Sequence, residues 1–335
     1  MFANLVARLF VFTVTGLCFS SCNTHPATQI GSFQRLEPGF DSIIGDNASI
    51  EIIADSLDWC EGPLWVDAHQ MLLFSDIPVN TIYKWTSTGG KQIYLKPAGY
   101  TSSVKRGGEI GSNGLTLNDK GELIICQHGD RRIARMDAPV DKPLAKFVTL
   151  ADNYQGKKFD SPNDLVYDNK GNLYFTDPPY GLEKLVEDTN KQAPYQGVYR
   201  VSNGIVHLLV DSISRPNGLA FTPDFKTLII ANSDEAKPYW YAYDISGNDS
   251  LNNPRIFYNA AKAPFNEKGG GDGLKVDKKG YVFASGPGGI WIFNKDAKLL
   301  GRIRIPEQVS NCVLADNDKT LFVTADRYVL KVHLR

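Results

Sequence analysis

The chain has 335 residues, enough for two average domains or one large repeat fold, and 42% of them are hydrophobic, enough for a sizeable core. Its 36 basic and 37 acidic side chains give a net charge of −1. This balance argues against nucleic acid or a polyanionic partner and leaves a small neutral or anionic substrate open.

The first 22 residues have the pattern of an export signal. Arg8 precedes the apolar run Leu9–Phe19, and Ser20-Ser21-Cys22 follows it. Positive charge, a short apolar segment and small residues are typical of a secretory signal. We expect residues 1–22 to be a signal peptide with a lipoprotein-type Cys22, with plain secretion and a retained anchor as alternatives. Residues 23–46 are expected to be a flexible tether. The protein would then be exported, as a periplasmic or membrane-anchored bacterial lipoprotein that meets the membrane only through its N-terminal lipid.

The cysteines are too few and too scattered for a disulfide framework. The chain has five, and removal of the signal with lipidation of Cys22 would leave Cys60, Cys126 and Cys312. An odd number without short spacings argues against paired disulfides or a zinc cluster. We expect these three to be small buried hydrophobic residues on strands.

A short pattern recurs about every fifty residues, with a shorter last step. Each copy has an oxygen-bearing side chain, in most copies followed by glycine, before alternating apolar residues. The six residues at this position are Glu61, Asn113, Asn163, Asn217, Asp272 and Asn311. Periods of this length are typical of solenoids, propellers and arrays.

Each repeat continues with short β-rich runs joined by polar turns such as Asp168-Asn169-Lys170-Gly171. The sixth repeat ends at Arg335 without a fourth run, whereas an extra run, Ser49–Ala54, precedes the first repeat. If that run supplies the outer strand of the last sheet, the ring closes. The sequence therefore predicts an all-β, six-bladed β-propeller of four-stranded antiparallel blades over residues 47–335. A polar insertion, residues 183–196, interrupts the third blade.

The propeller geometry predicts two groups of residues at one mouth of the channel. Innermost strands run along the channel, so the six repeat residues should form a ring there. Second strands run antiparallel, so the turns that follow them should surround the ring. Those turns contain Asp76, His128–Arg131, Asp177–Gly181, Ser233–Glu235 and Gly286–Gly288. Trp85, Trp240 and Trp291 on the third runs are expected in the core between blades.

A ring of carboxylate and amide oxygens is a candidate site for a hard cation such as Ca²⁺. Glu61 and Asp272 would neutralise a divalent ion, and Asn163 and Asn217 would add carbonyl oxygens. The ring contains no His or Cys, which argues against zinc and copper. For any one of these residues alone, a role in a turn is the alternative. His128 is either a substrate ligand or a turn histidine with internal partners. Arg131 is the candidate for contact with an anionic or hydroxyl-rich ligand.

Several segments resemble the family of gluconolactonases, regucalcin-like senescence-marker proteins and luciferin-regenerating enzymes. The resemblance extends from about Glu61 to the C-terminus. Its most specific segments are Glu61-Gly62-Pro63-Leu64-Trp65, Ser161-Pro162-Asn163-Asp164-Leu165, Tyr174–Gly181, Gly271-Asp272-Gly273 and Gly286–Gly289. The segment Gln127–Arg132 resembles the bacterial branch, in which an acid usually occupies the position of Gln127.

The resemblance implies a six-bladed propeller with one divalent metal ion at the channel mouth. Calcium is the first expectation, with zinc, magnesium or manganese as substitutes in vitro. Glu61, Asn163, Asn217 and Asp272 match the positions around the metal, and Asp272 matches the acid–base residue. Asn113 and His128 match pocket positions, and Tyr180 belongs to one of the similar segments. The family hydrolyses sugar lactones and related small esters.

Two functions remain open from the sequence. The first is a metal-dependent hydrolase of sugar lactones, in which Asp272 handles the proton of the attacking water. The alternative is a non-catalytic cell-surface propeller that binds a sugar or a protein partner around a structural calcium ion. The sequence names neither the lactone nor the oligomeric state.

Overall fold

The described residues form twenty-seven strands, and almost all of these lie in antiparallel sheets arranged as the blades of a propeller. The structure, a computed structural model, describes residues 30–247, 249–265, 267 and 270–335. Strands β1 (Ser32–Arg35) and β2 (Ile50–Ala54) precede the first blade. Blade one consists of β3 (Cys60–Val66), β4 (Met71–Asp76), β5 (Thr81–Thr86) and β6 (Gly90–Leu95).

The next three blades follow in chain order, each from the inner strand outwards. Blade two consists of β7 (Leu115–Leu117), β8 (Leu123–Gln127), β9 (Arg132–Met136) and β10 (Phe147–Ala151), and a small hairpin of β11 (Asn153–Tyr154) and β12 (Lys157–Lys158) follows it. Blade three consists of β13 (Leu165–Tyr167), β14 (Leu173–Asp177), β15 (Gly197–Ser202) and β16 (Ile205–Val210). Blade four consists of β17 (Pro216–Phe221), β18 (Thr227–Asn232), β19 (Tyr239–Ile245) and β20 (Leu251–Asn259).

The last two blades involve both ends of the described chain. Blade five consists of β21 (Leu274–Val276), β22 (Val282–Gly286), β23 (Gly289–Phe293) and β24 (Leu299–Arg304). Blade six consists of β25 (Val309–Ala315), β26 (Thr320–Ala325), β27 (Tyr328–His333) and the early strand β2. Ile50 pairs with Val332 and Glu51 with Lys331. The predicted six-bladed fold and its closure by the early strand are therefore confirmed.

The part of the predicted tether that the structure describes is not free chain. Strand β1 pairs with β24, with Ser32 opposite Arg304, so blade five has a fifth, outermost strand. The short 3₁₀ helix Pro38–Ser42 follows and buries Phe40. Phe40, Ile43 and Ile44 are apolar, and their burial between blades five and six stabilises the folded chain. The tether prediction is thus wrong for these residues, while the predicted signal peptide and Cys22 lie outside the described residues.

Six apolar clusters, one for each seam between neighbouring blades, form the core. Along the inner and second strands, successive side chains point to opposite faces of the sheet, so they pack alternately into the two seams that flank the blade. In β8, for example, Leu123 and Ile125 pack against blade one, and Ile124 and Cys126 pack against blade three. Trp240 and Trp291 meet in the seam between blades four and five, with ring centroids 5.7 Å apart.

The cysteine prediction is also confirmed for the described chain. Cys60, Cys126 and Cys312 are free and buried, each in a different seam. Apart from the strands, the regular elements described are 3₁₀ helices at Pro38–Ser42, Asp67–His69, Leu185–Glu187 and Ala260–Lys262. Within the described residues, no helix has the length and apolar character needed to cross a bilayer.

Candidate active site

The six repeat residues lie at the start of the inner strands, where the backbone is irregular. In β3, β17 and β25 the pairing with the second strand shifts register beside Glu61, Asn217 and Asn311, respectively. Such bulges turn a side chain out of the alternation of a regular strand. Here they allow the ring side chains to point into the channel while the following residues pack into the seams.

Glycine after the ring residue lets neighbouring blades approach closely at the axis. Gly62 has φ +54°, and a Cβ atom there would lie 2.1 Å from the carbonyl oxygen of Asn113. At Gly114 a Cβ atom would lie 2.6 Å from the carbonyl oxygen of Asn163, which accepts a hydrogen bond from the Gly114 amide at 2.7 Å. The recurring glycine of the sequence pattern is therefore required by this contact between blades.

A polar cavity of about 560 Å³ opens at this mouth of the channel. Five of the eight predicted site residues line its floor: Glu61, Asn113, Asn163, Asn217 and Asp272. A sixth, Tyr180, lies on its wall, and its hydroxyl shares a hydrogen bond of 2.5 Å with Ser233 Oγ. The volume is in the range of pockets for small molecules.

Four oxygens on the cavity floor are buried without a hydrogen-bond partner. They are the Oδ1 atoms of Asn113, Asn163, Asn217 and Asp272. Buried polar atoms are rarely left unpaired in folded proteins, so four in one ring require an explanation. Amide and carboxylate oxygens are the donors that hard cations prefer, and together with Glu61 they fit an ion such as Ca²⁺. No cluster of three or more His, Cys, Asp or Glu suitable for a metal occurs in the described chain, since three of these four residues are asparagine.

The two ring carboxylates repel each other. Burial, followed by the charge of Asp164, raises the pKa of Glu61 to about 7. Burial, followed by the charges of Glu61 and Asp164, raises the pKa of Asp272 well above its ordinary value, although a hydrogen bond from Asn217 opposes this shift. A bound divalent cation would compensate both charges, which supports the same fit.

A second polar layer, made by Asp164, Lys275 and Asn311, lies directly beneath the ring. Lys275 Nζ lies 3.7 Å from Asp164 Oδ2. The Asn311 amide donates to Glu61 Oε2 at 3.2 Å and to Asp164 Oδ2 at 3.4 Å. Asn311, predicted as a member of the ring, therefore belongs to this lower layer and holds Glu61 from below.

His128 and Arg131 do not line the cavity, contrary to prediction. His128 is fully buried, and its Nδ1 lies 3.0 Å from the carbonyl oxygen of Pro162. Arg131 Nε donates to the carbonyl oxygen of Phe159 at 2.6 Å, and its Nη1 donates to that of Asn190 at 3.0 Å. These guanidinium bonds tie the insertion of blade three to the turn between β8 and β9 of blade two, so Arg131 has a structural position.

Two acids of the predicted outer group also have structural positions. Asp177 accepts hydrogen bonds from the backbone amides of Asp160 and Ser161, and Asp76 accepts them from those of Asp58 and Trp59. Each therefore fixes the loop that leads into an inner strand. The Asp177 carboxyl is buried, which, with the nearby charge of Asp160, raises its pKa to about 8.

The cavity residues that sequence reasoning missed include Trp59, Glu109 and Arg215. Arg215 directly precedes Pro216-Asn217, and Trp59 lies two positions before Glu61, so their closeness in sequence to the ring residues could have indicated them. Glu109 comes from the long segment between β6 and β7, and no sequence pattern indicated it.

A six-bladed propeller with a ring of oxygen donors under a polar cavity defines a class of small-molecule enzymes and metal-binding proteins. Residues 59–327 match the family described as SMP-30/Gluconolactonase/LRE-like region, and the chain belongs to this family. It is 39% identical over 338 residues to a gluconolactonase of Zymomonas mobilis, covering 99% of this chain and 94% of that protein.

The similarity extends to more distant relatives. A pentonolactonase of Haloferax volcanii is 26% identical, covering 79% of this chain and 80% of its own. A gluconolactonase structure from Xanthomonas campestris superposes with a TM-score of 0.78 at 27% identity, covering 94% of this chain and all of that one.

Proposed function

We propose that the protein is a metal-dependent hydrolase of sugar lactones. The observation that carries the proposal is the set of four buried, unpartnered oxygens beside Glu61 on the floor of an open cavity. Identity of 39% over nearly the whole length to a protein named gluconolactonase supports the substrate class. Gluconolactone opening is the hydrolysis of a carboxylic ester, so the protein is placed among ester hydrolases.

Glu61, Asn163, Asn217 and Asp272 are the residues that would hold the metal ion. Their donors are all oxygens, which favours calcium over softer metals. When bound, the ion would polarise the lactone carbonyl and stabilise the developing oxyanion. Asn113, whose Oδ1 is also free, is assigned to the substrate, as is Tyr180 on the wall.

Asp272 is the proposed acid–base residue. Its Oδ1 has no hydrogen-bond partner and carries two lone pairs, so this carboxylate can contact the metal ion and still accept a proton from the attacking water. The water oxygen forms a bond to the carbonyl carbon, the bond from that carbon to the ring oxygen breaks, and Asp272 returns the proton to the ring oxygen. The product is the open hydroxy acid.

Proton release by the purified protein tests this proposal. The protein is stripped with a chelator, and glucono-δ-lactone hydrolysis is followed in a pH-stat with and without added Ca²⁺, after subtraction of the spontaneous rate. Mg²⁺, Mn²⁺ and Zn²⁺ are compared in parallel. We expect hydrolysis that depends on the metal. Protein that binds Ca²⁺ but hydrolyses no member of a lactone and ester panel would instead favour the non-catalytic propeller with a structural ion.

We also propose that the protein is exported, on the basis of its first 22 residues. Fractionation of a bacterial host that expresses the full chain, followed by mass spectrometry of the N-terminal peptide, distinguishes a lipidated Cys22 from simple cleavage. Recovery of the uncleaved chain from the cytosol would contradict the proposal.

A further inference from the structure

Glu109 enters the cavity from a segment outside the repeated strands. Its segment, residues 97–111, is held against its neighbours by Arg106, whose guanidinium donates to the carbonyl oxygens of Gly181 at 2.8 Å and Gly129 at 2.7 Å. The Glu109 side chain is 39% exposed, and it lines the same cavity as Asp272. The segment therefore presents a carboxylate to the cavity from a fixed backbone.

A buried histidine stands behind this carboxylate. The carbonyl oxygen of Pro162 can only accept a hydrogen bond, so the Nδ1 of His128, 3.0 Å away, carries a proton. Its Nε2 is buried, has no hydrogen-bond partner, and lies 3.3 Å from Glu109 Oε2. The ring is thus fixed on one side by the backbone and faces Glu109 on the other.

Two of the other acids at the cavity, Glu267 and Glu235, differ from Glu109. Glu267 is paired with Arg302 at 3.2 Å and Arg304 at 3.6 Å, so its charge is already compensated. Glu235 is exposed at the rim. Among the described residues, His128 lies within ion-pair distance of Glu109, whereas no lysine or arginine does. Because the Nδ1 of His128 donates to Pro162, an ion pair with Glu109 requires a second proton on Nε2, which would then donate to the carboxylate. Glu109 is therefore a carboxylate beside a buried imidazole, with oxygen lone pairs free to accept hydrogen bonds from a ligand.

We propose that Glu109 binds a hydroxyl group of the lactone substrate and that His128 acts through it as a positioning residue. The inference rests on the proposed function for the identity of the substrate. A carboxylate held in place loses little conformational entropy when it accepts a substrate hydroxyl, so it favours hydroxylated lactones over plain ones. Glu109 would then set specificity, whereas the ring residues carry out the hydrolysis.

Binding of a lactam that is not readily hydrolysed tests Glu109 without reliance on turnover. Calcium-loaded parent, Glu109→Gln and the matched control Glu235→Gln are titrated with D-glucono-δ-lactam by calorimetry, after a Ca²⁺ titration of each. We expect Glu109→Gln to weaken lactam binding at least about tenfold, the loss of one charged hydrogen bond. The Ca²⁺ affinity of Glu109→Gln should fall by much less than its lactam affinity, because Glu109 acts on Asp272 only through its charge. The lactam affinity of Glu235→Gln should match the parent. Lactam binding within twofold of the parent in Glu109→Gln would overturn the proposal.

Kinetics separate specificity from general damage. The ratio of kcat/KM for glucono-δ-lactone to that for δ-valerolactone, which lacks hydroxyl groups, should fall at least about tenfold in Glu109→Gln. An equal loss for both lactones would contradict a role in hydroxyl recognition. If the parent binds the lactam through Glu109 but hydrolyses no lactone, the proposed function fails and the binding role survives. If the parent hydrolyses glucono-δ-lactone and the ratio is unchanged in Glu109→Gln, the proposed function survives and the binding role of Glu109 fails. A parent that neither binds the lactam nor hydrolyses lactones overturns both.

A double-variant cycle tests His128. Because His128 is proposed to act through Glu109, His128→Gln should raise KM for glucono-δ-lactone more than it lowers kcat. The pair Glu109→Gln/His128→Gln should then be no worse than Glu109→Gln alone. Additive losses would overturn the positioning role of His128. If His128→Gln does not fold, the pH profile of lactam binding is compared between the parent and Glu109→Gln, and identical profiles would also overturn this role.

Discussion

The two polar layers of the channel differ in how their buried oxygens are satisfied. In the lower layer, Asp164 faces the Lys275 ammonium and the Asn311 amide. In the upper layer, the Oδ1 atoms of Asn113, Asn163, Asn217 and Asp272 have no partner. Burying a charge is costly unless it is paired. The chain supplies its own cation to the lower layer, whereas under the proposed function the upper layer would take its cation from outside.

The largest expected effect is on turnover and concerns the upper layer. Asp272→Asn keeps a carbonyl oxygen for the metal ion but loses the basic carboxylate. Turnover at saturating Ca²⁺ should fall by about 10²–10⁴, the usual contribution of a positioned general base, while Ca²⁺ affinity falls modestly. Measurement of kcat with glucono-δ-lactone shows whether Asp272 acts as a base or only as a metal ligand. A rate within threefold of the parent would leave Asp272 as a ligand only, and the base would then have to be sought elsewhere.

The next effect is on the affinity of the upper layer for its ion. Glu61→Gln removes one of two negative charges that face the ion and should weaken Ca²⁺ binding at least about tenfold. Isothermal titration measures it, with Glu235→Gln at the cavity rim as the control for a charge lost without a ligand. Equal affinities in Glu61→Gln and the parent would remove Glu61 from the metal site.

The lower layer should respond in stability. Lys275→Met leaves Asp164 without its ammonium partner. Because the Lys275 side chain is 28% exposed, we expect a loss of about 1–3 kcal/mol in the free energy of unfolding, below the cost of breaking a fully buried pair. Equilibrium urea unfolding measures it, and Lys275→Met/Asp164→Asn should recover much of the loss. A single variant as stable as the parent would show that Asp164 does not need the ammonium.

The smallest effect is the pH dependence of the metal-free protein. The pKa of Glu61 is raised to about 7, first by burial and then by Asp164, so in the folded state this acid binds a proton that the unfolded chain has released. Stability is therefore greatest below the unfolded pKa and is lost as pH rises through about 7, by roughly 1 kcal/mol from Glu61 between about pH 6 and about pH 8. Saturating Ca²⁺ should abolish this loss. Urea unfolding at both pH values would contradict the interpretation if the metal-free protein became more stable at the higher pH.

The repeat made much of this predictable from sequence. One ring residue occurs in each blade. Because the blades close into a ring, residues at equivalent positions of the repeats lie together at one channel mouth. The spare strand β2 indicated closure because an incomplete sixth repeat leaves an unpaired edge. The upper layer could be predicted in the same way, since the residue type at each ring position is given by the sequence without knowledge of side-chain packing.

What escaped prediction depends on contacts outside the repeat. Strand β1 pairs Ser32 with Arg304, and no local pattern specifies so distant a partner. His128 and Arg131 lie in the turn between β8 and β9, where His128 contacts Glu109 of the segment 97–111 and Arg131 contacts Asn190 of the insertion. These contacts lie outside the repeated pattern. Asp164 occupies the position where most repeats have glycine, and only the geometry of the channel shows that its side chain meets Lys275.

Closure of blade six by β2 has a consequence for the order of events during synthesis. Glu61 is held by Asn311, 250 residues further along the chain, and β2 has no partner until β27 has been made. A nascent chain that stops before blade six has all the proposed metal-binding residues but an open ring. Pairings across such distances form slowly and late. The candidate site is therefore among the last parts of the molecule to be assembled, and a truncated chain has the site residues without the closed ring that holds them together.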